Sequence, residues 1–133
     1  MLRYVVASVL CGVLFGIMDG LINGNPLAKR LYEIYESISK QSPNIPAGLA
    51  IDLAYGFIMA GVFLLLQKSL PGKSWLLKGA SFSLLIWFFR VVMYVATQWM
   101  MFAVPISALL YTLGTGLIEM MILGLVCSAI LRR

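Results

Sequence analysis

Four apolar runs, over about residues 4–22, 47–67, 75–102 and 105–131, limit this chain to very few folds. Each approaches or exceeds the ~20 residues that a helix needs to cross a bilayer. Of the 133 residues, 62% are hydrophobic and only 11% charged. A soluble domain of this size has too much surface for its volume to hide so many apolar side chains. Lipid as solvent removes that difficulty. The expectation is an all-α integral membrane protein, a four-helix transmembrane bundle folded as one domain over residues 1–133. Trp75 and Trp99 stand roughly 36 Å of helix apart at ~1.5 Å per residue. That separation suits aromatic belts on either side of a ~30 Å hydrocarbon core.

The first run follows a basic start at Arg3, as a signal peptide does. It lacks a small-x-small cleavage site, and Ser8-Val9-Leu10-Cys11 is a poor lipoprotein box. It is therefore expected to stay as a span.

The net charge of +5 does not point to nucleic acid. Lys68, Lys73 and Lys78 flank one loop, and Arg132 and Arg133 close the chain, which is a topology signal and not a basic face. Four spans put both termini on one side, together with Arg3 and those lysines. The other side has Lys29, Arg30 and Lys40, diluted by Glu33 and Glu36. The positive-inside rule then places both termini in the cytoplasm, in a bacterial-type inner membrane or a plasma membrane.

The chain has no His, which excludes His-ligated haem, His-ligated zinc and any His-based triad. Cys11 and Cys127 stand apart with no C-x-x-C, and read as two small buried hydrophobes. They lie toward the cytoplasmic side, where thiols stay reduced. No nucleophile–base pair or metal cluster is visible. No cofactor or metal is expected, and an enzyme is the least favoured class.

Ser8, Gly12, Gly16, Gly20 and Gly24 recur every four residues in the first run, forming one stripe of small side chains. In membranes such a stripe lets a second helix backbone approach closely. The partner is either in the same chain, in a second copy, or in another membrane protein. Gly20 and Gly24 also suit a helix end. Asp19, near that end, reads either as a carboxylate wetted by headgroups or as a functional group.

Asn23-Gly24-Asn25-Pro26 is a break, with Asn25 a cap and Pro26 fit for a first helical turn. Residues 26–40 then place Leu27, Leu31, Ile34, Tyr35 and Ile38 on one face. Lys29, Arg30, Glu33, Glu36 and Lys40 fall mostly on the other. This is a short amphipathic helix between the first and second spans, lying in the interface or folded over the bundle as a lid. Residues 41–46 read as a loop because their two prolines stop a helix. Pro71-Gly72 is a turn between the second and third runs.

Two charges fall deep in the apolar zone, Arg90 in the third run and Glu119 in the fourth. They lie almost equally far from Pro105 on either side. A tight turn there sets them at one depth, as an intramembrane salt bridge. Arg90, Tyr94, Thr97 and Gln98 share a face of the third run, and Thr112, Thr115 and Glu119 share one of the fourth, with Tyr111 beside them. Asp52, on one face with Tyr55 and Met59, comes level with Arg90 if the second and third runs fold about Pro71-Gly72. A lone charge in the membrane costs several kcal/mol, so a partner is expected. Arg90 stays charged, whereas a buried carboxylate is able to hold a proton.

Three readings follow. In one, Arg90, Glu119, Asp52, Tyr94, Gln98, Thr115, Tyr55 and Asp19 form an ion or ligand site in a small transporter or channel. In another, the chain is a non-catalytic membrane subunit or assembly protein. It would dock through Ser8, Gly12, Gly16 and Gly20, and the buried charges would only fix helix register. A lipid-modifying or redox enzyme comes last. The partners implied are the lipid bilayer and a second copy or membrane protein, with no nucleic acid.

Overall fold

The computed structural model describes residues 1–33 and 45–131. Helices and their connections make up all of these residues. α1 (Leu2–Gly24) is followed by the short α2 (Pro26–Leu31), α3 (Ile45–Leu66), α4 (Trp75–Trp87), a π-helical turn (Phe88–Val92), α5 (Met93–Met101) and α6 (Ile106–Leu131). α4, the π turn and α5 run on as one rod, Trp75–Met101. With that rod counted once, α1, α3 and α6 complete a set of four helices long and apolar enough to cross a membrane.

The helix ends have local causes. α1 runs past Gly20 and ends at Gly24. It stops because Pro26 forces Asn25 into extended backbone, φ −81° and ψ 159°. Asn25 Oδ1 then caps α2 by accepting from the Ala28 amide at 2.8 Å. The amphipathic helix anticipated over 26–40 is helical as far as Leu31. Ile34, Tyr35, Ile38 and Lys40 lie outside the described residues. α3 begins at Ile45, one residue ahead of Pro46. Proline is harmless there, because a first-turn N–H has no helical partner to lose. Gly72, at φ 104°, makes the turn before α4. Ser74 Oγ caps α4 by accepting from the Leu77 amide at 3.3 Å. Beyond α5, the Pro105 carbonyl accepts from the Ala108 and Leu109 amides and so starts α6.

Small residues decide which helices meet. α1 packs most closely on α3, and α4 on α6. A Cβ on Gly56 would overlap the Ser8 carbonyl, and one on Gly12 would lie 2.9 Å from the Asp52 carbonyl oxygen. A Cβ on Gly16 would lie 2.8 Å from Asp52 Oδ2. The inner part of the stripe is thus met by α3 of the same chain, whereas Gly20 and Gly24 face open space. Gly79, Ser83, Gly124 and Ser128 make a similar close seam between α4 and α6.

α1 also reaches α6. There Cys11 and Cys127, both fully buried, bring their sulfurs to 2.9 Å. The two cysteines are therefore a facing pair and not the separate hydrophobes that their positions in sequence suggest. Phe63 of α3 meets Phe82 of α4 edge-on at 5.2 Å between ring centroids. The core collects Phe15, Phe63, Phe82, Met120 and Leu123. Large apolar side chains also cover the outside, among them Leu65 (82% exposed), Trp99 (68%) and Phe89 (66%).

Candidate functional site

Arg90 sits in the five-residue π turn, where the Met93 amide reaches back to the Phe88 carbonyl. Such turns interrupt α-helices rarely and are frequent at functional sites. The Arg90 guanidinium carbon lies 4.8 Å from the Phe15 ring centroid and 5.1 Å from that of Tyr55. Those two rings stack on each other at 4.8 Å. Arg90 Nε also donates a long hydrogen bond, 3.5 Å, to Tyr55 Oη.

The salt bridge expected between Arg90 and Glu119 is not formed. Among the described residues no carboxylate lies within 4.0 Å of the guanidinium. Equal depth on two helices does not fix the direction of a side chain around each axis. The guanidinium turns instead toward the aromatic pair on α1 and α3. Such a contact is worth roughly 0.5–2 kcal/mol, more where water is excluded.

Glu119 is left in an unusual position. It is 4% exposed, and its Oε1 has no hydrogen-bond partner. A buried, unpartnered carboxylate oxygen is costly and calls for a functional account. Asp19, Arg90 and Asp52 all lie within electrostatic reach of it.

Glu119 lines a cavity of about 320 Å³ together with Asp19, Arg90, Tyr55, Tyr94 and Thr115. Six of the eight candidates read from sequence thus meet around one space. Asp52 stands beside it, its carboxylate against Gly16. Gln98 is not one of its lining residues. Asn23, Tyr32 and Thr112 complete the polar wall. A second cavity of about 340 Å³ shares Asn23, Tyr32, Tyr94 and Thr112 and continues to Val104, near the start of α6.

Several hydroxyl groups in and behind this wall are already engaged. Thr112 Oγ1 donates to the Ala108 carbonyl at 3.0 Å, and Thr115 Oγ1 to the Tyr111 carbonyl at 2.7 Å. Tyr111 Oη donates to the Ile22 carbonyl at 2.6 Å. Tyr32 Oη and Thr112 Oγ1 are 2.5 Å apart, and since the Thr112 proton is used, Tyr32 is the donor. Asn25 ties the wall together. Its amide nitrogen reaches the Ile22 carbonyl at 2.7 Å and Tyr111 Oη at 2.8 Å.

Sequence reasoning gave Asn25 only its capping role and placed Tyr32 nowhere near the fourth run. The Asn23-to-Pro26 break was the available signal, since it turns the chain back over the end of α1. Phe15 was missed too, because one aromatic in an apolar helix looks like core. The chain matches no family model, no curated protein and no solved structure.

Proposed function

We propose that this chain is a four-span membrane protein that conducts or carries a small ion or solute through the cavity between α1, the α4–α5 rod and α6. The single observation behind this reading is Glu119, a buried carboxylate with an unpartnered oxygen, on the wall of a polar cavity. Ionisable groups within membrane-spanning helices are by default candidates for a functional site, ion and substrate pathways among them. The apolar exterior supports a lipid environment, since side chains such as Leu65 and Phe89 face outward. Lys68, Lys73 and Lys78 gather around a separate cavity at the other end of the bundle, near Trp75. Under the positive-inside rule that end faces the cytoplasm, with both termini, and the Glu119 cavity opens toward the outside. Tyr32, just beyond α2, borders both polar cavities and fits a covering role for this segment. A docking role for the first helix has less support, because Gly12 and Gly16 already meet α3.

The test is ion-dependent swelling of liposomes carrying the purified chain, in isosmotic salts of different cations and anions. The parent passes at least one small ion, and Glu119→Gln stops that flux while keeping its helical content and elution volume. No flux in the parent, or equal flux in Glu119→Gln, rejects the reading.

A further inference from the structure

We infer that the Glu119 cavity binds a small organic cation bearing N–H donors, of the primary alkylammonium class. This rests on the cavity being the working site, and it adds the sign and hydrogen-bonding character of the occupant.

Charge gives the first argument. Asp19 and Glu119 line the space and Asp52 lies within electrostatic reach, against a single guanidinium. Arg90 neutralises one carboxylate at most, and its charge is already directed at two aromatic rings. An anion would enter a field dominated by carboxylates.

Hydrogen bonding gives a second, independent argument. Thr112 and Thr115 have spent their protons on backbone carbonyls, at 3.0 and 2.7 Å. What these groups still offer the cavity is lone pairs. Asp19 and Glu119 add carboxylate groups to the wall, and Glu119 Oε1 has no partner within the fold. Apart from the Arg90 guanidinium, which is a donor, these groups are acceptors, and a primary ammonium has three N–H bonds to give them.

Shape narrows the class. Among the described residues no three acidic or thiol side chains are gathered closely enough to hold a metal ion, which disfavours a bare divalent cation. The Tyr94 ring, on the same wall, suits a cation carrying carbon. The volume of about 320 Å³ is near the lower end of the ~300–1,000 Å³ typical of small-molecule sites.

The experiment measures binding to the full chain in lipid nanodiscs by calorimetry, at constant ionic strength. Ethylammonium chloride is the probe. Tetramethylammonium chloride has the charge without the N–H groups, and sodium acetate has the opposite sign. Ethylammonium is expected to bind saturably and at least tenfold more tightly than tetramethylammonium, with no binding of acetate. Glu119→Gln weakens ethylammonium at least tenfold. Asp19→Asn, on the half-buried wall, is measured beside it and weakens ethylammonium too, so a folding failure of one variant does not decide the outcome.

Equal affinity for the two ammonium ions, binding of acetate, or an unaltered affinity in both variants overturns the inference. So does the absence of ethylammonium binding. If ions still cross liposomes in that case, the transport reading survives without it. Ethylammonium binding with no flux leaves the site standing and removes transport.

Discussion

Gly56 has no room for a side chain. A Cβ there would overlap the Ser8 carbonyl and come within 2.6 Å of the Gly12 nitrogen, and both are backbone atoms that cannot swing aside. Alanine would gain about 1 kcal/mol of helix propensity over glycine. Overpacking a close seam costs about 1–3 kcal/mol, and a backbone-to-backbone overlap belongs at the upper end. Gly56→Ala is therefore expected to lower the midpoint of thermal unfolding in detergent. Gly48→Ala, on the same helix with nothing within 4 Å, leaves it unchanged or raises it. A midpoint for Gly56→Ala at or above the parent would show that α1 and α3 are not in this contact. Arg90 and Glu119 make a different point at the same scale. Both stood out in sequence as charges in apolar surroundings, and both reach the cavity. Their mutual bond did not follow. Sequence spacing fixes depth along a helix well, but it says little about which of several neighbours a long side chain will choose.

At the scale of elements, α2 is the weakest piece. Six residues do not hold a helix in isolation, because nucleation costs more than one or two hydrogen bonds return. Its stability comes from outside, through the Asn25 cap and through Tyr32, which bonds Thr112 and packs edge-on against Tyr111 at 5.7 Å. Asn25→Ala removes the cap, worth about 1 kcal/mol, and the bond to Tyr111 as well. Amide hydrogen exchange at Ala28 should speed up at least fivefold, with exchange in α4 and α6 unaltered. Unchanged exchange at Ala28 would mean that Asn25 does not hold this segment. The cap and the proline were readable from Asn25-Pro26 alone, since both act within one turn. The π turn was not. Phe88 to Val92 contains no Gly or Pro to announce a break.

For the molecule as a whole, the test is whether α1 lies beside α6. Copper-phenanthroline should oxidise the Cys11 and Cys127 thiols of one chain to a disulfide, releasing two protons and passing two electrons to copper. The product is a monomer whose mass is lower by two hydrogens and which has no maleimide-reactive thiol after denaturation. Two free thiols after treatment, or cross-linked dimers only, would reject the arrangement. The existence and placement of the four long helices were legible in the sequence, because apolar length and Pro or Gly breaks act locally. So were six of the polar groups around the cavity, though not Asn23 or Tyr32. Local rules did not decide which helix packs on which. That depended on Gly12 against Asp52 and Leu53, and on Ser83 against Gly124, contacts between residues far apart in the chain. Those contacts set the rotation of each helix about its own axis. The rotation in turn paired the two sulfurs, turned Arg90 onto Phe15 and Tyr55, and left Glu119 facing a cavity with an oxygen unsatisfied. Depth came from sequence because it is a sum along one helix, whereas direction came only from the fold because it is settled between helices.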